Sequence, residues 1–173
     1  MRNPFFPLLI IISLFTGISC KTLEKQAGEQ GKNTSSNKTN VMMNNLFIES
    51  ESITGFNETI ELLKTAVEQK TWKLTAIHDL QETLKKNGYD VQPVKVFAIC
   101  HPKHSSKILT LDDERIVSPL MPCRISVYMK SNGKTYISRM NPAVMSDMFT
   151  GVTAQVMAES AAEVEEILKT IIK

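Results

Sequence analysis

The sequence predicts an α+β domain, an antiparallel-rich sheet with helices packed on one face. Three observations predict it. Segments with apolar residues at helical spacing are interspersed with short runs in which apolar residues alternate. Two such runs flank Asn132-Gly133, a strong hairpin signal. The 173 residues suffice for one core but hardly two, and 22% charged with 42% hydrophobic residues excludes wholesale disorder, collagen and a multi-span membrane protein. A net charge of +2 is too small to advertise a nucleic-acid partner. Three cysteines are too few for a disulfide scaffold.

Residues 1–19 are an address. Arg2 gives a short positive region, and Leu8 to Phe15 an apolar run broken only by Ser13. Small residues then lead through Thr16-Gly17-Ile18-Ser19 to Cys20, the pattern of a secretory signal peptide. The run is shorter than the roughly 20 residues that cross a bilayer. Ser19-Cys20 resembles the lipobox of bacterial lipoproteins, although Gly17 stands where Leu or Val is usual. The resemblance implies a lipidated Cys20 that holds the protein on a membrane of the cell envelope, each buried CH2 contributing about 0.8 kcal/mol. The alternative is an ordinary cleaved signal with a free Cys20 thiol. Residues 20–49 read as the lipidated cysteine and a polar tether, too poor in large apolar residues to offset its ordering entropy. Met42 and Met43 are the candidates for its first docked residues.

The domain is expected over residues 50–173. Asn57 can cap a helix burying Ile60, Leu63 and Val67. Alternation over 72–78 places Trp72, Leu74, Ala76 and His78 on one face of a strand. Asp79 and Glu82 form a capping box for a helix with Leu80 and Leu84 as its buried stripe and Gly88 as its stop. Val94 to Cys100 is the most apolar run, with Val94, Val96, Ala98 and Cys100 on one face, and Pro102 suits the first turn of a short helix carrying Ile108 and Leu109. Asp112 to Arg115 reads as a solvated loop. A two-residue turn at Asn132-Gly133 pairs Met129 with Tyr136, Val127 with Ser138 and Ile125 with Met140. Cys123, Ile125 and Val127 then share one face, and Arg124, Tyr128 and Arg139 the other. Asn141-Pro142 starts a helix, and a last amphipathic helix buries Val164, Ile167, Leu168 and Ile171, with Glu159, Glu163 and Glu166 on its solvated side.

The stretches "VKVFAICHPKHSSKIL" and "LMPCRISVYMKSNGKTYISRMN" resemble the domain-of-unknown-function 302 family. The preceding "FNETIELLKTAVEQKTWKLTAIHDLQETLKKNGYDVQPV" is similar to that family's helix, strand and helix. The more specific pieces are Cys100-His101-Pro102 closing one strand and Pro122-Cys123 opening the next. The resemblance implies a curved antiparallel sheet similar to that of the TATA-box-binding protein, an architectural likeness that implies no DNA binding. It implies no reaction and no ligand.

With Cys20 lipidated, Cys100 and Cys123 are the remaining thiols, and three readings stay open. They are buried structural thiols, a disulfide between antiparallel neighbours, or part of a metal or redox site. For the last, Cys100, His104, Cys123 and His78 are the candidate ligands, two thiolates and one or two imidazoles that suit zinc or copper. No carboxylate is evident to orient the histidines. The nine methionines serve better as core filling than as a copper site, with Met140, Met145, Met148 and Met157 at core spacing. No phosphate-cradling loop, nucleophile elbow or HExxH helix is present. The expected function is a membrane-anchored, noncatalytic module binding a small ligand or a metal. The alternative is a thiol-dependent redox or metal-linked enzyme using Cys100 and Cys123. The expected partners are the lipid bilayer, through Cys20, and a second copy of the chain in a homodimer.

Overall fold

In chain order the elements are β1 (Phe47–Glu51), α1 (Phe56–Glu68), β2 (Lys73–Asp79), α2 (Leu80–Lys86), β3 (Val94–Cys100), α3 (Pro102–Leu109), a 3-10 helix (Asp113–Leu120), β4 (Cys123–Met129), β5 (Thr135–Met140), α4 (Pro142–Asp147) and α5 (Gly151–Leu168). The computed structural model describes residues 46–173. The expected signal peptide, Cys20 and the expected tether up to Asn45 lie outside the described residues. Phe47 to Glu49, expected in the tether, belong to β1, which pairs with β5 from Phe47↔Met140 to Glu51↔Tyr136. Among the described residues no helix is long and apolar enough to cross a membrane.

All four strand pairings are antiparallel, in the order β1-β5-β4-β3-β2, so the expected α+β class holds. Residues paired across such a sheet share a face. Phe97, Ile99, Ile125, Val127 and Ile137 point to one side and are fully buried, against Ile60, Leu63 and Val67 of α1 and Val164, Ile167 and Leu168 of α5. Ile171, just beyond α5, closes the same core. A second cluster joins Ile108 of α3, Val117 of the 3-10 helix, and Met145, Val156 and Met157. Met148, expected in the core, is exposed.

Two local features overturn expected side-chain placements. The pairing of β2 with β3 shifts between Leu74 and Ala76. Such a bulge inserts one residue and reverses the alternation beyond it. Leu74 opposite Ile99 keeps its expected face, but Ile77 lies opposite Phe97 and His78 opposite Val96, exposed on the other side. The hairpin is also one residue longer in its loop than expected. Gly133 N–H donates to Lys130 O and Lys130 N–H to Lys134 O, with Gly133 at φ 77°. This is a three-residue loop ending on a left-handed glycine. The register becomes Met129↔Thr135, Val127↔Ile137 and Ile125↔Arg139. Arg139, expected beside Arg124 and Tyr128, therefore stands on the Cys123 face and is buried against Glu165.

Helix ends follow local chemistry. Asp79 caps α2 by accepting from Glu82 N–H at 2.9 Å. Gly88, at φ 83°, ends it with Gly88 N–H donating to Lys85 O and Tyr89 N–H to Leu84 O, a pattern that needs a left-handed residue. The expected burial of α2 fails, since Leu80 and Leu84 are exposed. The N-cap of α1 is Gly55, two residues ahead of the expected Asn57. Residues Asp113 to Arg115, expected in a loop, open the 3-10 helix.

Candidate functional site

The end of β3 passes into α3 through His101-Pro102. Proline fits the first helical position because its missing N–H has no partner to lose there. His101 is the N-cap, its Nδ1 accepting from His104 N–H at 3.3 Å. That leaves the proton of the neutral ring on Nε2, which lies 2.6 Å from Thr71 Oγ1. One helical turn later His104 comes back beside His101, their ring centroids 4.1 Å apart. Both histidines are buried. Lys73 pairs with Cys100, so the residue before β2, Trp72, meets the residue after β3, His101, edge to face at 5.5 Å.

α5 lays two carboxylates, one helical turn apart, against this cluster. Glu163 accepts from Trp72 Nε1–H at 2.8 Å and lies 3.0 Å from His104 Nε2 through its other oxygen. Glu159 takes Lys107 Nζ at 2.9 Å and lies 3.5 Å from His104 Nδ1. Burial acts to raise the Glu163 pKa, but the hydrogen bonds from His104 and Trp72 outweigh it and hold the carboxyl below its ordinary value. Glu159 is likewise held low, first by Lys107 and then by Gln155. His104 thus sits between two ionised carboxylates with Nε2 engaged and Nδ1 without a hydrogen-bond partner. One donor atom each from His101, His104 and Glu163 lies within 4.8 Å of the other two.

The expected ligand set is therefore split: His104 joins the carboxylates, Cys100 and Cys123 line a cavity beside it, and His78 lies apart. Of Cys100, His104, Cys123 and His78, only His104 belongs to this cluster. His78 was turned outward by the bulge in β2. Ile99, not Cys100, is opposite Cys123. Both cysteines are free and half-buried, so the disulfide reading is not what the fold adopts. They line one narrow cavity of about 30 Å³ together with Trp72, His101 and His104. Cys100 Sγ lies 3.2 Å from Ser105 Oγ. Burial, reinforced by the neighbouring Cys100, pushes the Cys123 thiol up to about 11, so it is neutral at ordinary pH.

His101 and Glu163 are site residues that do not follow from the sequence pattern alone. His101 belongs to the Cys100-His101-Pro102 motif, and its spacing of three to His104 is the signal for two imidazoles on one turn. Glu159 and Glu163 stand four apart on a helix, which equally suits a solvated face. Only the packing of α5 across α3 makes them the carboxylates that orient the histidines, correcting the expectation that none does.

The comparisons bear on the family and the fold. A family model described as "Domain of unknown function DUF302" matches residues 48–173. Among solved structures, an uncharacterized conserved DUF302 protein from Bacillus stearothermophilus is similar, at 24% identity and a TM-score of 0.65. The match covers 72% of this chain and 97% of that one. No curated protein matches the sequence.

Proposed function

Since the chain belongs to the DUF302 family, whose description assigns a domain and no chemistry, its own side chains carry the functional reading, and we propose that it is a noncatalytic binding module that takes a transition-metal ion at His101, His104 and Glu163. The observation that carries this is the orphaned Nδ1 of His104, buried and 3.5 Å from Glu159. When an ion displaces the proton from Nε2, a neutral imidazole carries it on Nδ1, and Glu159 is in place to accept it. A carboxylate behind a ligating histidine is the usual second support of a metal site. For His101 the same shift costs the cap bond from His104 N–H, which at 3.3 Å is a long one. Two imidazoles and a carboxylate suit zinc or Cu(II). A tetrahedral ion at about 2.1 Å from its ligands would hold them about 3.4 Å apart, so the 3.0 Å contact between His104 and Glu163 would open slightly to admit it.

The thiol-dependent enzyme draws no support from Cys123, because a thiol held neutral by burial is a poor nucleophile. In titrations of the full chain with zinc, followed by native mass spectrometry, we expect one ion per chain. His104→Ala should weaken binding at least about 100-fold, and Glu159→Gln about tenfold, the effect typical of removing an outer-shell partner. Cys100→Ser and Cys123→Ser should leave it unchanged. Stoichiometric binding that survives His104→Ala, or no binding at all, would overturn the reading.

The anchor belongs to the same proposal. Lipidation at Cys20 would hold the module on an envelope membrane, with residues 21–46 as the spacer ahead of β1. Cell fractionation should find the native chain with membranes and labelled by a fatty-acid analogue. Cys20→Ser should lose the label entirely. A label that persists in that variant would sink the lipoprotein reading and leave the metal site untouched.

A further inference from the structure

A second cavity, of about 330 Å³, opens where β4 begins and β5 ends, bounded also by the 3-10 helix, α4 and α5. Its volume lies at the lower end of the range for small-molecule pockets, roughly 300–1,000 Å³. The wall is mainly apolar, with Val96, Leu120, Met140, Met145 and Val164 among its residues. Arg139 and Glu165 also line it, but each satisfies the other's charge through two hydrogen bonds of 2.8 and 2.6 Å. Arg124 is different. It lines the cavity and is exposed, and among the described residues it makes no ion pair. An unpaired guanidinium beside an apolar hollow provides a fixed fork of donors for one anionic group.

We propose that this cavity binds a small, largely apolar monoanion, a carboxylate or sulfonate on a body about the size of a substituted naphthalene, with its charge on Arg124 and its body among the methionines. Apolar burial supplies the affinity, and flexible methionines adapt to an irregular body. None of His101, His104 and Glu163 lines this cavity, although Leu120, Pro122, Cys123, Met157 and Ser160 line both hollows. Either proposal can fail without the other.

The probe pair is 1-anilinonaphthalene-8-sulfonate and N-phenyl-1-naphthylamine, the same body without the charge. Fluorescence titration of the full chain should show saturable one-to-one binding of both, tighter for the sulfonate. Arg124→Gln should weaken the sulfonate about tenfold, the loss expected for one charge-assisted contact, and leave the amine unchanged. Arg124→Lys should restore part of the difference. The proposal is overturned if neither probe saturates, or if Arg124→Gln affects both probes alike or neither. It is overturned too if binding emerges only after Met42→Ser and Met43→Ser, since the chain's own preceding segment would then be the occupant.

Discussion

Glu165→Ala is expected to lower the free energy of unfolding by about 3 kcal/mol, because it strands a buried guanidinium. Arg139 is 6% exposed and gives Nε and Nη2 to the two Glu165 oxygens, with Nη1 on Ser50 Oγ at 2.8 Å. Without the carboxylate the cation keeps only the serine. Glu165 itself is a third exposed, which places the cost at the lower end of the range for broken buried pairs. The companion variant Arg139→Met with Glu165→Ala removes the stranded charge and should recover most of the loss. Urea unfolding of both chains decides the matter. Equal destabilisation of the single and double variants would show that the pair matters through packing and not through charge.

Phe97→Ala should cost about 3–5 kcal/mol, the largest single effect expected in the domain. Its ring is fully buried on β3, between β2 and β4 and beneath the helices. Loss of the ring removes apolar burial and leaves a hole that close-packed neighbours fill only partly. Domains of this size are stable by roughly 5–15 kcal/mol, so the variant would stand near the edge of folding. Leu84→Ala, by contrast, should change stability by less than about 0.5 kcal/mol, because Leu84 is exposed on α2. Thermal or urea unfolding compares the two, and a similar loss in both would refute the placement of the core.

Local chemistry accounts for the kind and order of the elements from α1 onward, the 3-10 helix excepted, and for much of their ends. Asp79 with Glu82, Gly88 and Pro102 act within a turn of their own backbone, so their roles are legible without the rest of the fold. The same holds for the apolar spacing of α1 and α5, whose Ile60, Leu63, Val67, Val164, Ile167 and Leu168 all reach the core. Local chemistry was insufficient wherever one residue of register carried the outcome. The bulge in β2 turned His78 out of the expected set, and the longer hairpin loop turned Arg139 in. Strand alternation has a period of two, so a single added residue reverses every side chain beyond it. The candidate site was settled at longer range still. Trp72, His101, His104, Glu159 and Glu163 lie on three separated stretches of chain, and only the packing of α5 over the end of β3 and α3 brings them within hydrogen-bond reach. A glutamate on a helix has the same sequence signature facing water or facing a buried imidazole, and the difference is the neighbour that tertiary structure supplies.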